Sequence, residues 1–122
     1  MRESPAGPNI DPSSRRILGG SVATYLMLST LTDEGRKTLK QRPERLDAVN
    51  KEIESMGARV RSQYAVLGGY DFVNVIEAPT NEVMSRIAIE LGSRGTIKVV
   101  TLPAMAVNEF VQMMARSATP ES

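Results

Sequence analysis

Leu67-Gly68-Gly69-Tyr70-Asp71-Phe72 sets two glycines between two runs of β-forming residues. A Gly-Gly pair in that setting marks a hairpin, because glycine enters backbone regions that tight reversals need. Upstream, Arg59–Leu67 reads as a strand in which Val60, Tyr64 and Val66 alternate with Arg59, Arg61 and Gln63. One polar face with charges on it suits an edge strand. Downstream, Phe72-Val73-Asn74-Val75-Ile76 is nearly all apolar, as a central strand should be.

The remaining elements follow outward from this hairpin. Val22–Ser29 is a first strand with apolar residues on both faces, Tyr25 and Met27 on one, Leu26 and Leu28 on the other. Thr32-Asp33-Glu34-Gly35 begins a polar turn that leads through Arg36–Arg42. Pro43 suits the first position of a helix, and from Pro43 to Met56 the residues Leu46, Val49, Ile53 and Met56 recur at helical spacing, with Gly57 ending it. After the third strand, Thr80 and Asn81 offer an N-cap, and Val83, Ile87 and Leu91 form the stripe of a second helix. Ile97–Leu102 is the fourth strand, and Val107–Arg116 a short C-terminal helix.

The order β-α-β-β-α-β predicts a ferredoxin-like α+β fold: a four-stranded antiparallel sheet with both helices on one face. Strands one, three and four carry apolar residues on both faces, so something must cover the side without helices. A second copy is the simplest cover, which predicts a homo-oligomer, a dimer or higher. Residues 1–20, rich in Pro, Ser and Gly, read as a disordered arm; 21–116 read as the domain and 117–122 as a frayed tail.

Composition excludes several kinds of chemistry. The 122 residues contain no Cys and no His. Disulfides, thiolate nucleophiles and the usual general base are therefore missing, and no metal site or cofactor is expected. The net charge is +1 with acids and bases mixed, which does not provide the clustered cations of a nucleic-acid surface. No apolar run reaches the roughly 18–20 residues of a membrane span. The start of the chain has no apolar core followed by a cleavage site, so a cytoplasmic location is expected.

The hairpin tripeptide Gly69-Tyr70-Asp71 carries a family resemblance. With it go Thr32-x-x-Gly35, Pro43-x-Arg45, Gly57, Glu77-x-Pro79 and Gly95 followed by Thr101-x-x-Ala104. Over about Ala23 to Ala104 the chain resembles the GYD-domain family of small bacterial proteins. That resemblance implies a dimeric α+β barrel and supplies no agreed activity or catalytic residue. More distantly, the hairpin is similar to the Gly-x-Tyr-Asp turn in effector domains of leucine-responsive-type regulators, which bind amino acids between subunits. The helix-turn-helix segment of those regulators has no counterpart here, so ligand sensing is implied without direct DNA binding.

Topology brings Tyr70 and Asp71 to the rim that also holds Thr32, Arg36, Lys37, Lys40, Arg42 and Arg45. Asp71 is expected to pair with one of these cations or to accept from the Thr32–Gly35 backbone. Tyr70, Asp71, Arg45 and Thr32 are then ligand-binding candidates at the mouth of a pocket, with Gly68 and Gly69 serving the turn. The competing reading is that Asp71 locks the hairpin and Tyr70 packs at a subunit seam. Asn74 in its apolar strand needs a partner and either joins Tyr64 facing a barrel or makes a structural bond. Glu77 is read as capping the second helix or pairing with a subunit, and Thr101 as strand packing.

Three functions fit these residues. The first is an oligomeric module that binds a small organic ligand or regulates, without evident catalytic machinery. The second is a cofactor-independent oxygenase or isomerase of the dimeric-barrel type, using Tyr, Asp and Arg. The third is a structural assembly subunit.

Overall fold

The computed structural model describes residues 22–117. The expected arm at 1–20 lies outside the described residues, as do 118–122 of the expected tail. The elements run β1 (Ala23–Leu31), α1 (Asp33–Gln41), α2 (Arg45–Ser55), β2 (Arg59–Ala65), β3 (Phe72–Ala78), α3 (Asn81–Gly92), β4 (Ile97–Ala104) and α4 (Val107–Ser117). The sheet order is β2-β3-β1-β4, and every neighbouring pair is antiparallel. This is the ferredoxin-like α+β arrangement read from the sequence.

The two apolar faces of β1 go to different places. Tyr25, Met27 and Ser29 are buried under the helices, beside Ile76, Asn74 and Phe72 of β3. Ile53 of α2 and Met84, Ile87 and Leu91 of α3 close that core. Each such side chain contributes about 1.5–3 kcal/mol by leaving water. Across the opposite face, Leu26 and Leu28 align with Val75 and Val73 on one side and Leu102 and Val100 on the other. These six are only half-buried or exposed, so no described helix packs on that face, called the open face below.

Three local features depart from the sequence reading. The segment after Thr32 is a helix, α1, rather than a polar turn. Its cap explains this: the Thr32 hydroxyl accepts from Gly35 N–H, and Asp33 and Glu34 occupy the first turn, where the helix dipole favours acids. Pro43 sits in the turn between α1 and α2, and α2 begins two residues later at Arg45. Third, a register shift between Val60 and Ser62 reverses the alternation of β2. Gln63 therefore aligns with Asn74 on the helix side, and Tyr64 with Val73 on the open side. One extra residue in one strand is enough, since side chains alternate with a period of two.

Helix α4 follows β4 after Met105 and Ala106. Its side chains from Val107 to Arg116 are all exposed, including Phe110, Val111 and Met114. No described helix is long and apolar enough to cross a membrane.

Candidate functional site

The hairpin joining β2 and β3 is a six-residue loop, Val66–Asp71, whose ends meet through Val66 N–H donating to the Asp71 carbonyl at 2.8 Å. Gly68 has φ +120°, a backbone region that a side chain would strain. Leu67 at the tip is fully exposed, and Tyr70 is 39% exposed.

Asp71 is half-buried and pairs with no cation among the described residues. Its backbone N–H donates to Ser29 O at 2.8 Å, and its carboxylate Oδ2 accepts from Leu31 N–H at 2.7 Å. The β1–β3 pairing ends at Ser29 and Phe72, so the Leu31 N–H has no partner on that strand. Asp71 thus replaces the ladder's next bond with a side chain. A hydrogen bond to a charged acceptor of this kind is worth about 1.5–3 kcal/mol. The bond falls one residue before the Thr32–Gly35 segment named from topology.

Thr32 is equally occupied. Its hydroxyl accepts from Gly35 N–H at 3.1 Å and donates to Gly95 O at 2.8 Å, while its own N–H donates to Thr96 O at 2.9 Å. Gly35 lets α1 come this close. A Cβ there would lie 2.0 Å from the Thr96 carbonyl oxygen. Thr32-x-x-Gly35 is therefore a clasp between α1 and the start of β4.

Arg45 opens α2 and lines a notch of about 80 Å³ with Leu31, Gly35, Leu39, Val49 and Ile97. Asp71 and Tyr70 are not part of its wall. The hairpin and Arg45 share one rim without forming one pocket.

Asn74 is buried on the helix side. Its amide donates to Met27 O at 2.8 Å, and its Oδ1 accepts from Gln63 at 2.7 Å. Gln63 in turn exchanges bonds with Asn50 of α2 at 3.0 and 3.2 Å. The result is a chain of three amides from the core to the surface, on the side of the sheet away from Tyr64. Gln63 and Asn50 escaped the sequence reading, because the bulge that turns Gln63 inward leaves no mark in the pattern.

A larger cleft, about 250 Å³, lies where α3 passes over the ends of β1 and β4. Tyr25, Asn81, Met84, Ser85, Ala88, Thr101 and Pro103 line it. The Tyr25 hydroxyl donates to Asn81 Oδ1. The Thr101 hydroxyl is buried with no hydrogen-bond partner. Tyr25 and Asn81 are far apart in sequence, and only the packing of α3 on β1 joins them.

Two charged groups complete the map. Arg61 pairs with the buried Glu77 at 3.2 Å, next to β1 in the sheet. Arg94 bonds Glu52 of α2 and Glu90 of α3, tying the two helices together. The Arg94 hydrogen bond holds the Glu52 carboxyl below the usual carboxylate range, and the two carboxylates push the Arg94 guanidinium up. No group of three or more metal-ligating side chains occurs among the described residues.

Comparison with known proteins bears on this map. Residues 25–114 match the GYD domain, a span that reaches into α4. The chain is also 49% identical to the glutamine synthetase and cystathionine beta-lyase binding protein of Thermus thermophilus. That alignment covers 91 residues, 74% of this chain and 96% of the relative. No solved structure matches.

Proposed function

Because the chain belongs to the GYD-domain family, we propose that it is a binding module that engages other proteins, as an oligomer, and thereby regulates them. The observation that carries this is the near-full-length similarity to a relative named for binding glutamine synthetase and cystathionine beta-lyase. The same two enzymes are the first partners to test here. The side chains that would have equipped a catalytic rim fit this reading. Asp71, Thr32 and Asn74 each hold backbone in place. Tyr70 and Tyr64, one of which the oxygenase or isomerase reading would set beside a buried Asp or Arg, are 39% and 59% exposed.

Oligomerisation rests on that open face. Leu26, Leu28, Val73, Val75, Val100, Leu102 and Tyr64 share that face and are each half-buried or exposed, and contiguous apolar surface is where proteins meet partners. A second copy laid face to face covers it on both chains at once. The experiment is direct. The purified chain is mixed with each enzyme and followed by size-exclusion chromatography with light scattering. A homo-oligomer that co-elutes with either enzyme is the expected result. No complex at tens of micromolar overturns the protein-binding reading, and a monomer at that concentration overturns the oligomer.

A small organic ligand is the second reading, and the cleft of α3 favours it. The Asn81 amide and the Ser85 hydroxyl offer donors at one end, Met84, Ala88 and Pro103 an apolar wall, and Thr101 an unpaired hydroxyl. Native mass spectrometry of the freshly isolated protein tests it by showing, or failing to show, a bound small molecule.

A further inference from the structure

The cleft beside the start of α3 holds hydrogen-bonding groups that the fold leaves unused. The Tyr25 hydroxyl donates to Asn81 Oδ1, so the Asn81 amide nitrogen keeps both of its N–H donors. Ser85 lies one helical turn further along the same face of α3 and also lines the cleft. Neither that nitrogen nor the Ser85 hydroxyl makes a hydrogen bond among the described residues. Thr101 of β4 aligns with the buried Met27 on the helix side of the sheet, and its hydroxyl is buried without a partner. Valine would fill that strand position without stranding a hydroxyl, so packing alone does not account for Thr101.

The rest of the lining narrows what these groups can meet. It carries no charged side chain. A carboxylate or an ammonium entering the cleft would shed water and find no opposite charge, which disfavours an ionised ligand. The volume is about 250 Å³, a little under the roughly 300–1,000 Å³ of drug-sized sites, so the ligand is small. Met84, Ala88 and Pro103 offer an apolar wall for a short hydrocarbon part.

We infer that this cleft binds a small uncharged carboxamide on a short hydrocarbon body. The inference rests on the small-ligand reading above and names its chemical class. The carbonyl oxygen of such a ligand accepts from the Asn81 N–H and the Ser85 hydroxyl, and its own N–H donates to the Thr101 oxygen. A ketone accepts without donating, and an alcohol has a single proton to give, so each satisfies fewer of these groups. Thr101 and Pro103 align with Met27 and Tyr25 on the helix side, so self-association through the open face leaves the cleft clear.

The test uses the full chain, labelled with nitrogen-15, and three probes: 4-methylpentanamide, its carboxylate 4-methylpentanoate and its N,N-dimethyl amide. The primary amide at millimolar concentration is expected to shift the backbone signals of Ser85, Ala88 and Thr101 and the side-chain NH2 of Asn81. Both analogues are expected to bind more weakly by about five-fold or more, the effect of one lost hydrogen bond. N81D keeps an acceptor for Tyr25 and places an acid in the first helical turn, so it folds, yet it loses the donors and a similar factor in affinity. T101V removes only the unpaired hydroxyl, and it is expected to unfold no earlier than wild type while binding the amide more weakly. No shift in the cleft at tens of millimolar amide, or equal amide binding by N81D, overturns the inference. If the carboxylate or the dimethyl amide shifts the same residues as strongly as the primary amide, the carboxamide class is wrong while the small-ligand reading stands. If none of the three shifts the cleft and native mass spectrometry shows no bound molecule, the small-ligand reading falls with it.

Discussion

Replacing Gly35 by alanine tests the clasp between α1 and the sheet more sharply than any other single change. The added Cβ would sit 2.0 Å from the Thr96 carbonyl oxygen and 3.3 Å from a Leu31 methyl. The first contact is with backbone, so no side chain can swing away to relieve it. The helix must lift by roughly an ångström with its cap, and the two hydrogen bonds that tie that cap to the start of β4 stretch together: Thr32 N–H to Thr96 O and the Thr32 hydroxyl to Gly95 O. At about 1 kcal/mol for each bond, the loss is about 2 kcal/mol, within the range that overpacking costs. For a domain of this size that lowers Tm by roughly 8–16 °C. Urea unfolding of G35A beside G69A gives the comparison, because a Cβ at Gly69 meets nothing within 4 Å. Should G35A lose less than about 0.5 kcal/mol, the close approach of α1 to β4 is wrong.

Four further outcomes follow from the same geometry. D71A leaves the Leu31 N–H without its acceptor and lowers stability by about 1–3 kcal/mol in urea, whatever the ligand present. N74A breaks the amide chain at its buried end and costs a similar amount, with Q63A costing less because Gln63 is exposed. The depressed Glu52 carboxyl contributes stability above its ordinary value of 4.5, and that contribution disappears as pH falls through its lower folded value. The advantage of wild type over E52Q in thermal unfolding therefore shrinks in acid, from a starting value under about 1 kcal/mol for so open a pair. L102E sits on the open sheet face through which self-association is proposed, and the expected outcome is a monomer in sedimentation where wild type self-associates, without unfolding of the chain.

Much of the fold was legible because it depends on local pattern. The apolar runs at Tyr25–Leu28, Phe72–Ile76 and Ile97–Leu102, the stripes of α2 and α3 and the Gly68-Gly69 turn each announce their element within a few residues. Helix α1 was less legible because Leu39 is its only large apolar residue. Its helical state depends on the Thr32 cap and on contact with Thr96, sixty-four residues away from Thr32. The candidate site was legible only in part. Asp71 was expected to pair with a rim cation or to accept from the Thr32–Gly35 backbone, and its choice of the Leu31 N–H instead follows from where the β1–β3 pairing stops.

By itself, then, the sequence determined the order of elements, the hairpin, the doubly apolar sheet and the lack of histidine and cysteine chemistry. Those properties rest on residue type and short-range spacing. Tertiary structure alone decided the roles of the polar side chains. The bulge before Ser62 turns Gln63 toward Asn74 and Tyr64 to the open face. The Gly35–Thr96 contact and the turn at Pro43 open the notch beside Arg45. A hydrogen bond or a gap depends on ångström-scale distances between segments remote in the chain, and spacing along the sequence does not encode such distances one residue at a time.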